Sequence, residues 1–142
     1  MAVLVDARPY AAAIKTAIKA EFDERDVYEY GEVPGDTNAA TEQLRSAPVP
    51  PIYAIVSIER RFNPVRRATS QTSLTGWRVA VRCMGTTVGE ARWAMFAVAR
   101  ALDEKRLTVS GAASTALVLE SEDAPVWDDG RFAGLAVFTF SH

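Results

Sequence analysis

A strictly alternating segment runs directly into a helix-start signal, and this pair of features constrains the fold more than any other part of the chain. Residues 74–84 alternate with a period of two, which is the side-chain period of a β-strand. One face would hold Trp77, Val79, Val81 and Cys83, and the other Arg78, Ala80, Arg82 and Met84. The segment therefore predicts a strand with one buried face and one wet or partner-facing face.

The helix signal follows within three residues. Thr87 and Glu90 form a capping box, in which the hydroxyl and the carboxylate each satisfy a free backbone N–H. An apolar stripe with helical spacing continues from there and comprises Val88, Ala91, Met95, Val98 and Leu102. We expect a helix over 87–102 that packs on the sheet.

A second helix is predicted from Asp6 to about Phe22. Asp6 is a suitable N-cap and Pro9 falls in the first turn, where its missing N–H costs little. The buried face would consist of Tyr10, Ile14, Ala17, Ile18 and Phe22. An amphipathic helix of this kind needs a sheet or another helix to cover that face.

The remaining apolar runs are short and read as strands. They lie at 27–30, 52–58, 107–109, 115–119 and 132–140, and the run at 52–58 is apolar enough to be covered on both faces at its start. Residues 31–50 are rich in Pro, Gly, Thr and Asn and predict an irregular loop with one helical turn near 38–44. The order predicts a single α+β domain over 1–142, with a mainly antiparallel sheet and two helices.

Composition excludes several classes of function. The 142 residues carry 16 basic and 18 acidic side chains, a net charge of -2, so the whole molecule is not a polycation for DNA or lipid. Cys83 is the one cysteine and His142 the one histidine, which argues against disulfide frameworks, zinc clusters and histidine triads. No signal peptide or membrane span is recognisable. We predict no enzymatic activity, no metal and no cofactor.

Three local motifs could be taken for chemical sites. Asp128-Asp129-Gly130 could be a metal or acid/base pair, but Asp-Gly before an alternating strand is typical of a turn. Cys83 lies on the apolar side of its strand and is predicted to be a core thiol. Gly85 precedes a helix, yet the glycine spacing and lysine of nucleotide-binding loops are missing.

Charge is distributed unevenly along the chain. Residues 60–89 carry only arginines, giving +6, and residues 120–130 carry only acids, giving -5. The arginines are Arg60, Arg61, Arg66, Arg67, Arg78 and Arg82, and the acids are Glu120, Glu122, Asp123, Asp128 and Asp129. Opposite patches suit a head-to-tail ring contact between identical chains. Two solvated loops of opposite sign are an equal alternative. A DNA groove is disfavoured because Phe62 is the one aromatic residue in the basic arm, 61–73, which we expect to be mobile.

In this order and spacing, several of these segments resemble the tail terminator proteins of long-tailed bacteriophages, also called tail completion or minor tail proteins. The resemblance runs from about Pro51 to Phe140. It rests on the strand at 51–56, the strand at 76–82, Gly85-Thr86-Thr87 leading to Glu90-Ala91, the helix end Ala101-Leu102 and the turn Asp128-Asp129-Gly130-Arg131-Phe132.

The resemblance implies a virion structural protein without catalysis. Such proteins form a ring, typically hexameric, on the finished tail tube, end its polymerisation and provide the surface that joins the head. The implied partners are other copies of the chain, the tail tube protein and a head-neck connector, with genomic DNA only passing through. The implied location is the head-proximal end of the tail, after assembly in the host cytoplasm. The alternatives are another neck or tail component, such as a head-closure or tube protein, a small cytoplasmic ligand-binding domain, or a DNA-contacting module.

Overall fold

A computed structural model describes residues 6–23, 25–61 and 76–142. Within them the chain forms three helices and seven strands. In chain order these are α1 Arg8–Glu21, β1 Val27–Tyr28, α2 Glu42–Arg45, β2 Ile52–Arg61, β3 Gly76–Gly85, α3 Val88–Leu102, β4 Arg106–Val109, β5 Ala112–Ala116, β6 Val118–Asp128 and β7 Arg131–Ser141. The predicted α+β fold with a mainly antiparallel sheet is confirmed.

The main sheet has five strands in the order β1-β2-β3-β7-β6. All neighbouring pairs are antiparallel except the short β1, which runs parallel to β2 and pairs only with Ala54 and Ile55. Strands β4 and β5 form a separate two-stranded sheet. The central strands β3 and β7 therefore hold the sheet together, and β6 lies at one edge.

Both α1 and α3 pack on the same face of this sheet. Their apolar stripes contact the strand side chains that point to this face. Among these are Trp77, Val79, Val81 and Phe138, which are almost completely buried. Leu102 in α3 and Ile14 in α1 are fully buried there. The predicted faces of both helices and of β3 are thus confirmed, except that Ala17 and Val88 are only half-buried and that Met84, predicted on the wet face of β3, is buried.

Among the residues that the structure describes, the apolar packing on the opposite face lies near one end. Tyr53, Ile55 and Met84 form a smaller apolar cluster there with Ala133, and Val33 and Val49 of the 31–50 segment pack on it. Residues 53–56 of β2 are consequently buried on both sides, as the sequence predicts. The predicted helical turn in this segment forms at Glu42–Arg45, capped by the Thr41 hydroxyl.

The start of α3 requires a glycine in the strand before it. A Cβ on Gly85 would lie 2.6 Å from the backbone nitrogen of Ala91, so any side chain would push the helix off the sheet. One half of the predicted capping box forms, because the Thr87 hydroxyl accepts the Glu90 N–H at 3.1 Å, while the Glu90 carboxylate accepts the N–H of Thr86 instead of that of Thr87. Strand end, glycine and cap together set the position of α3.

The start of α1 differs slightly from the prediction. The helix begins at Arg8 after Ala7, so Asp6 lies one residue before the N-cap position. Its carboxylate still accepts the Arg8 N–H at 3.0 Å and therefore satisfies a free donor of the first turn.

None of the helices in the described ranges is both long enough and apolar enough to cross a bilayer.

The acidic segment is the main correction to the sequence analysis. Residues 118–128 form an eleven-residue strand, β6, where the sequence predicted a strand at 115–119 followed by an acidic loop or turn. Pairing with β7 along almost its whole length overrides the low strand propensity of its acids and proline. The predicted mobile arm lies outside the described residues except for Arg61, which ends β2.

Candidate assembly surface

The basic residues lie on strands rather than loops. Arg60 and Arg61 are exposed at the end of β2, and Arg78 and Arg82 project from β3 on the face without helices. Arg78 contacts Glu59 of β2, with Nη1 and Oε1 3.6 Å apart. Arg66 and Arg67 lie outside the described residues. The interpretation of this segment as a solvated loop is therefore wrong for Arg60 and Arg61, which extend β2, whereas Arg78 and Arg82 lie on the strand predicted for them.

The acidic residues lie on the edge strand β6 and in the turn that follows. Glu120, Glu122 and Asp123 are exposed on β6, and Asp128 is its last residue. Asp129 and Gly130 make the two-residue turn to β7, both with positive φ, 47° and 87°. Two positive φ values are typical of the tight hairpin turns that Asp-Gly favours, so the turn prediction is confirmed.

One ion pair joins the basic and acidic segments within the same chain. Nη2 of Arg82 lies 2.5 Å from Oδ2 of Asp128, across the intervening strand β7. Partial burial disfavours the charged guanidinium, but Asp128 and the Tyr30 hydroxyl outweigh burial and hold the pKa of Arg82 above its ordinary value. Arg82 and Asp128 are thus already partnered in the isolated chain, whereas Glu120, Glu122 and Asp123 point to solvent.

The tip of the β6-β7 hairpin exposes apolar side chains that the sequence analysis did not single out. Val126 and Trp127 are 63% and 64% exposed. The Trp127 ring makes a T-shaped contact with the Phe132 ring, with ring centroids 5.2 Å apart. On the other face, Arg131 donates to the Pro51 carbonyl at 3.2 Å and lies over the Tyr53 ring. Exposed tryptophans are over-represented among residues that dominate protein interfaces.

Alternation in β6 is hard to recognise because its pairing with β7 is interrupted twice. The register shifts between Leu119 and Ser121 and again between Asp123 and Val126, around Pro125. Each shift moves the following residues to the other face and erases the period-two pattern. The sequence offers one usable signal for this strand. Strand-forming residues flank the acids, with Val118 before them and Val126 and Trp127 after them.

Cys83 is buried in the core, as predicted. Its side chain is fully shielded, and this burial together with the Glu122 carboxylate raises the pKa of the thiol to about 12. A thiol in this environment stays protonated at neutral pH, so it is a poor nucleophile.

The turn after Gly85 already binds a carboxylate from the same chain. The Glu90 carboxylate accepts hydrogen bonds from the Thr86 N–H at 3.1 Å and from the Thr86 hydroxyl at 2.8 Å. These two donors are therefore engaged by a side chain of α3. The candidate phosphate turn is thus part of the helix cap.

The sheet has two edges with free pairing capacity among the described residues. Beyond β6 no described strand continues the sheet, and residues 56–61 of β2 have no described strand on the side away from β3. The first edge carries the acids of β6 and the second ends in Arg60 and Arg61. An open edge is a template for a strand of another chain.

Comparison with known proteins gives structural matches only. No protein-family model and no curated protein sequence matches the chain. Among solved structures, one chain from the virion of a native gene transfer agent particle superimposes with a TM-score of 0.59 at 14% identity, covering 98% of this chain and 97% of that one. A second solved chain, whose name carries no functional description, has a TM-score of 0.61 at 11% identity, covering 94% and 90%. At these identities the likeness shows a shared fold over nearly the whole chain.

Proposed function

We propose that this protein is a virion structural protein of the tail terminator type. It forms a ring, typically of six copies, on the head-proximal end of a phage tail tube, ends tube polymerisation and provides the surface to which the head connector binds. Its partners are copies of itself, the tube protein and the connector, while genomic DNA only passes through. The proposal includes assembly in the host cytoplasm, no catalysis, no cofactor and no membrane.

The observation that carries the proposal is the pair of open, oppositely charged edges on one sheet. Identical subunits that join two different surfaces close into a ring when the rotation between them permits it. β6 and residues 56–61 of β2 are two such surfaces on opposite sides of the sheet. Two further points support the proposal: the resemblance of residues 51–140 to tail terminators, and the fold shared with the gene transfer agent particle chain.

The test is negative-stain microscopy and light scattering of the purified protein, alone and mixed with tail tubes of the same virus. Rings at one end of the tubes, together with an end to tube growth, support the proposal. Incorporation along the tube would indicate a tube protein, and binding only to connector complexes would indicate a head-closure protein. A persistent monomer that ignores tubes and connectors would overturn the structural role.

A further inference from the structure

The strand directions at the two free edges of the sheet allow neighbouring copies of the chain to pair regularly. β2 is antiparallel to β3, β3 to β7 and β7 to β6, so β6 runs opposite to β2. When copies repeat head to tail with one orientation, β6 of each copy therefore meets β2 of the next in antiparallel fashion. Antiparallel ladders have straight hydrogen bonds and need no crossover connection.

The free part of β6 fits within the open part of β2. β1 pairs only with Ala54 and Ile55, so residues 56–61 are the longer of the two stretches of β2 that it leaves unpaired. On β6, the Leu119 N–H already donates to the Asp103 carboxylate at 3.2 Å, and Pro125 cannot donate a backbone hydrogen bond. Residues 120–123 between these two positions are therefore the usable part of the acidic edge.

Charge favours this contact over a symmetric β6-to-β6 contact. A β6-to-β6 ladder would bring Glu120, Glu122 and Asp123 of both copies into one short stretch, whereas pairing with β2 brings them near Arg60 and Arg61. Glu59, the one acid in the open stretch of β2, contacts Arg78 of its own chain. Like charges close together destabilise a pair of strands, whereas opposite charges stabilise it. The charges therefore disfavour a β6-to-β6 dimer and favour a heterologous contact.

We propose that β6 of one copy pairs, antiparallel, with residues 56–61 of β2 in the next copy, so that the five-stranded sheets join into one continuous sheet around the ring. This interface rests on the proposed ring. Its acidic side is formed by Glu120, Glu122 and Asp123 and its basic side by Arg60 and Arg61. The Arg82–Asp128 pair stays within each subunit and does not take part.

Disulfide trapping tests the pairing and its register. Ser121 lies on the sheet face shared by Ser57, Glu59 and Arg61, as their pairing with β7 and β3 shows. Three double variants combine Ser121→Cys with Ser57→Cys, Glu59→Cys or Arg61→Cys, and oxidation would trap the pair whose Cβ atoms come within disulfide range. The proposal expects a ladder of linked chains up to the full ring for at least one variant. Each single variant is the control, and native Cys83 is buried.

A charge exchange provides the second, independent measurement. Arg60→Glu with Arg61→Glu should weaken ring formation at least tenfold, and adding Glu122→Arg with Asp123→Arg should restore it at least partly. The matched control, Lys19→Glu with Arg92→Glu, changes the same total charge at exposed positions on helices α1 and α3, outside both strands. It should leave assembly unchanged.

The outcomes separate this interface from the function. Rings that cap tubes without any disulfide ladder, and that tolerate the Arg60 and Arg61 reversal, would overturn the β6-to-β2 join and leave the terminator role standing. A cross-link confined to dimers of the Ser121→Cys single variant would indicate a β6-to-β6 contact instead. A ladder and a closed ring without tube capping would support the join and reject the terminator role. Protein that forms no rings under any condition would reject both.

Discussion

The guanidinium of Arg82 lies 2.5 Å from the carboxylate of Asp128, although the two residues are 46 positions apart in the chain. This contact bridges β3 and β6 over β7 and joins the segments of opposite charge inside one subunit. Among the described residues, the charges that remain for other molecules are therefore mainly Arg60 and Arg61 at the end of β2 and the exposed acids of β6.

The Arg82–Asp128 pair should contribute little to stability despite its short distance. Its side chains are 36% and 47% exposed, and exposed ion pairs contribute about 0–1 kcal/mol after solvent screening. A double-mutant cycle with Arg82→Ala and Asp128→Ala, measured by urea unfolding, should give a coupling free energy in that range, smaller at high salt. A coupling above about 2 kcal/mol would show that the pair is effectively buried.

Truncating the core of α3 should be far more costly. Leu102 is fully buried between the helices and the sheet, so Leu102→Ala removes packed methyl groups and leaves a cavity. We expect the free energy of unfolding to fall by about 2–5 kcal/mol. Phe96→Ala, on the exposed side of the same helix, is the control and should cost much less. A loss below about 0.5 kcal/mol for Leu102→Ala would contradict the packing of this stripe.

Two glycines near the start of α3 should respond in opposite directions to alanine. Gly85→Ala places a methyl group 2.6 Å from the Ala91 backbone nitrogen, which cannot move without shifting the helix, so the protein should be destabilised. Gly89→Ala lies within α3 and its methyl group would meet nothing nearer than the Thr87 hydroxyl at 3.9 Å. It should stabilise by about 0.4–1 kcal/mol. Thermal unfolding of both variants would measure the difference, and equal effects would contradict it.

Stability should fall at alkaline pH because Cys83 ionises only after unfolding. Its pKa is raised from 9.0 to about 12 in the folded protein, so between these values the unfolded chain loses the proton first and is favoured. The free energy of unfolding is unaffected well below pH 9. It should then fall with a slope that approaches about 1.4 kcal/mol per pH unit for one such group.

The variant Cys83→Ala isolates this contribution. Its stability at pH 7 is lower because a buried atom is lost, but the decline between about pH 9 and 10 should be shallower than in the parent protein. Tyr28, whose pKa rises to about 12 through burial and the Asp26 carboxylate, adds a decline only above about pH 10 and is common to both proteins. Parallel pH profiles of parent and variant would contradict the assignment to the thiol.

Local patterns in the sequence determined those elements whose structure depends mainly on neighbouring residues. The alternation around Trp77, the capping box at Thr87 and the stripe ending at Leu102 specify strand and helix from neighbouring residues alone, and the structure has these elements with the expected faces buried. The Asp129-Gly130 turn belongs to this group, because positive φ angles are a local preference.

Only the tertiary structure decided the role of residues 118–128 and of the charges on them. The acids, the proline and the register shifts hide the alternating pattern of a strand. The strand forms because its backbone pairs with β7. The Arg82–Asp128 contact and the open half of β2 also depend on which strands become neighbours, and that order is set by packing over the whole sheet. A residue's charge can be read from the sequence. Its partner depends on which distant strands pair, and local periodicity carries no information about that pairing.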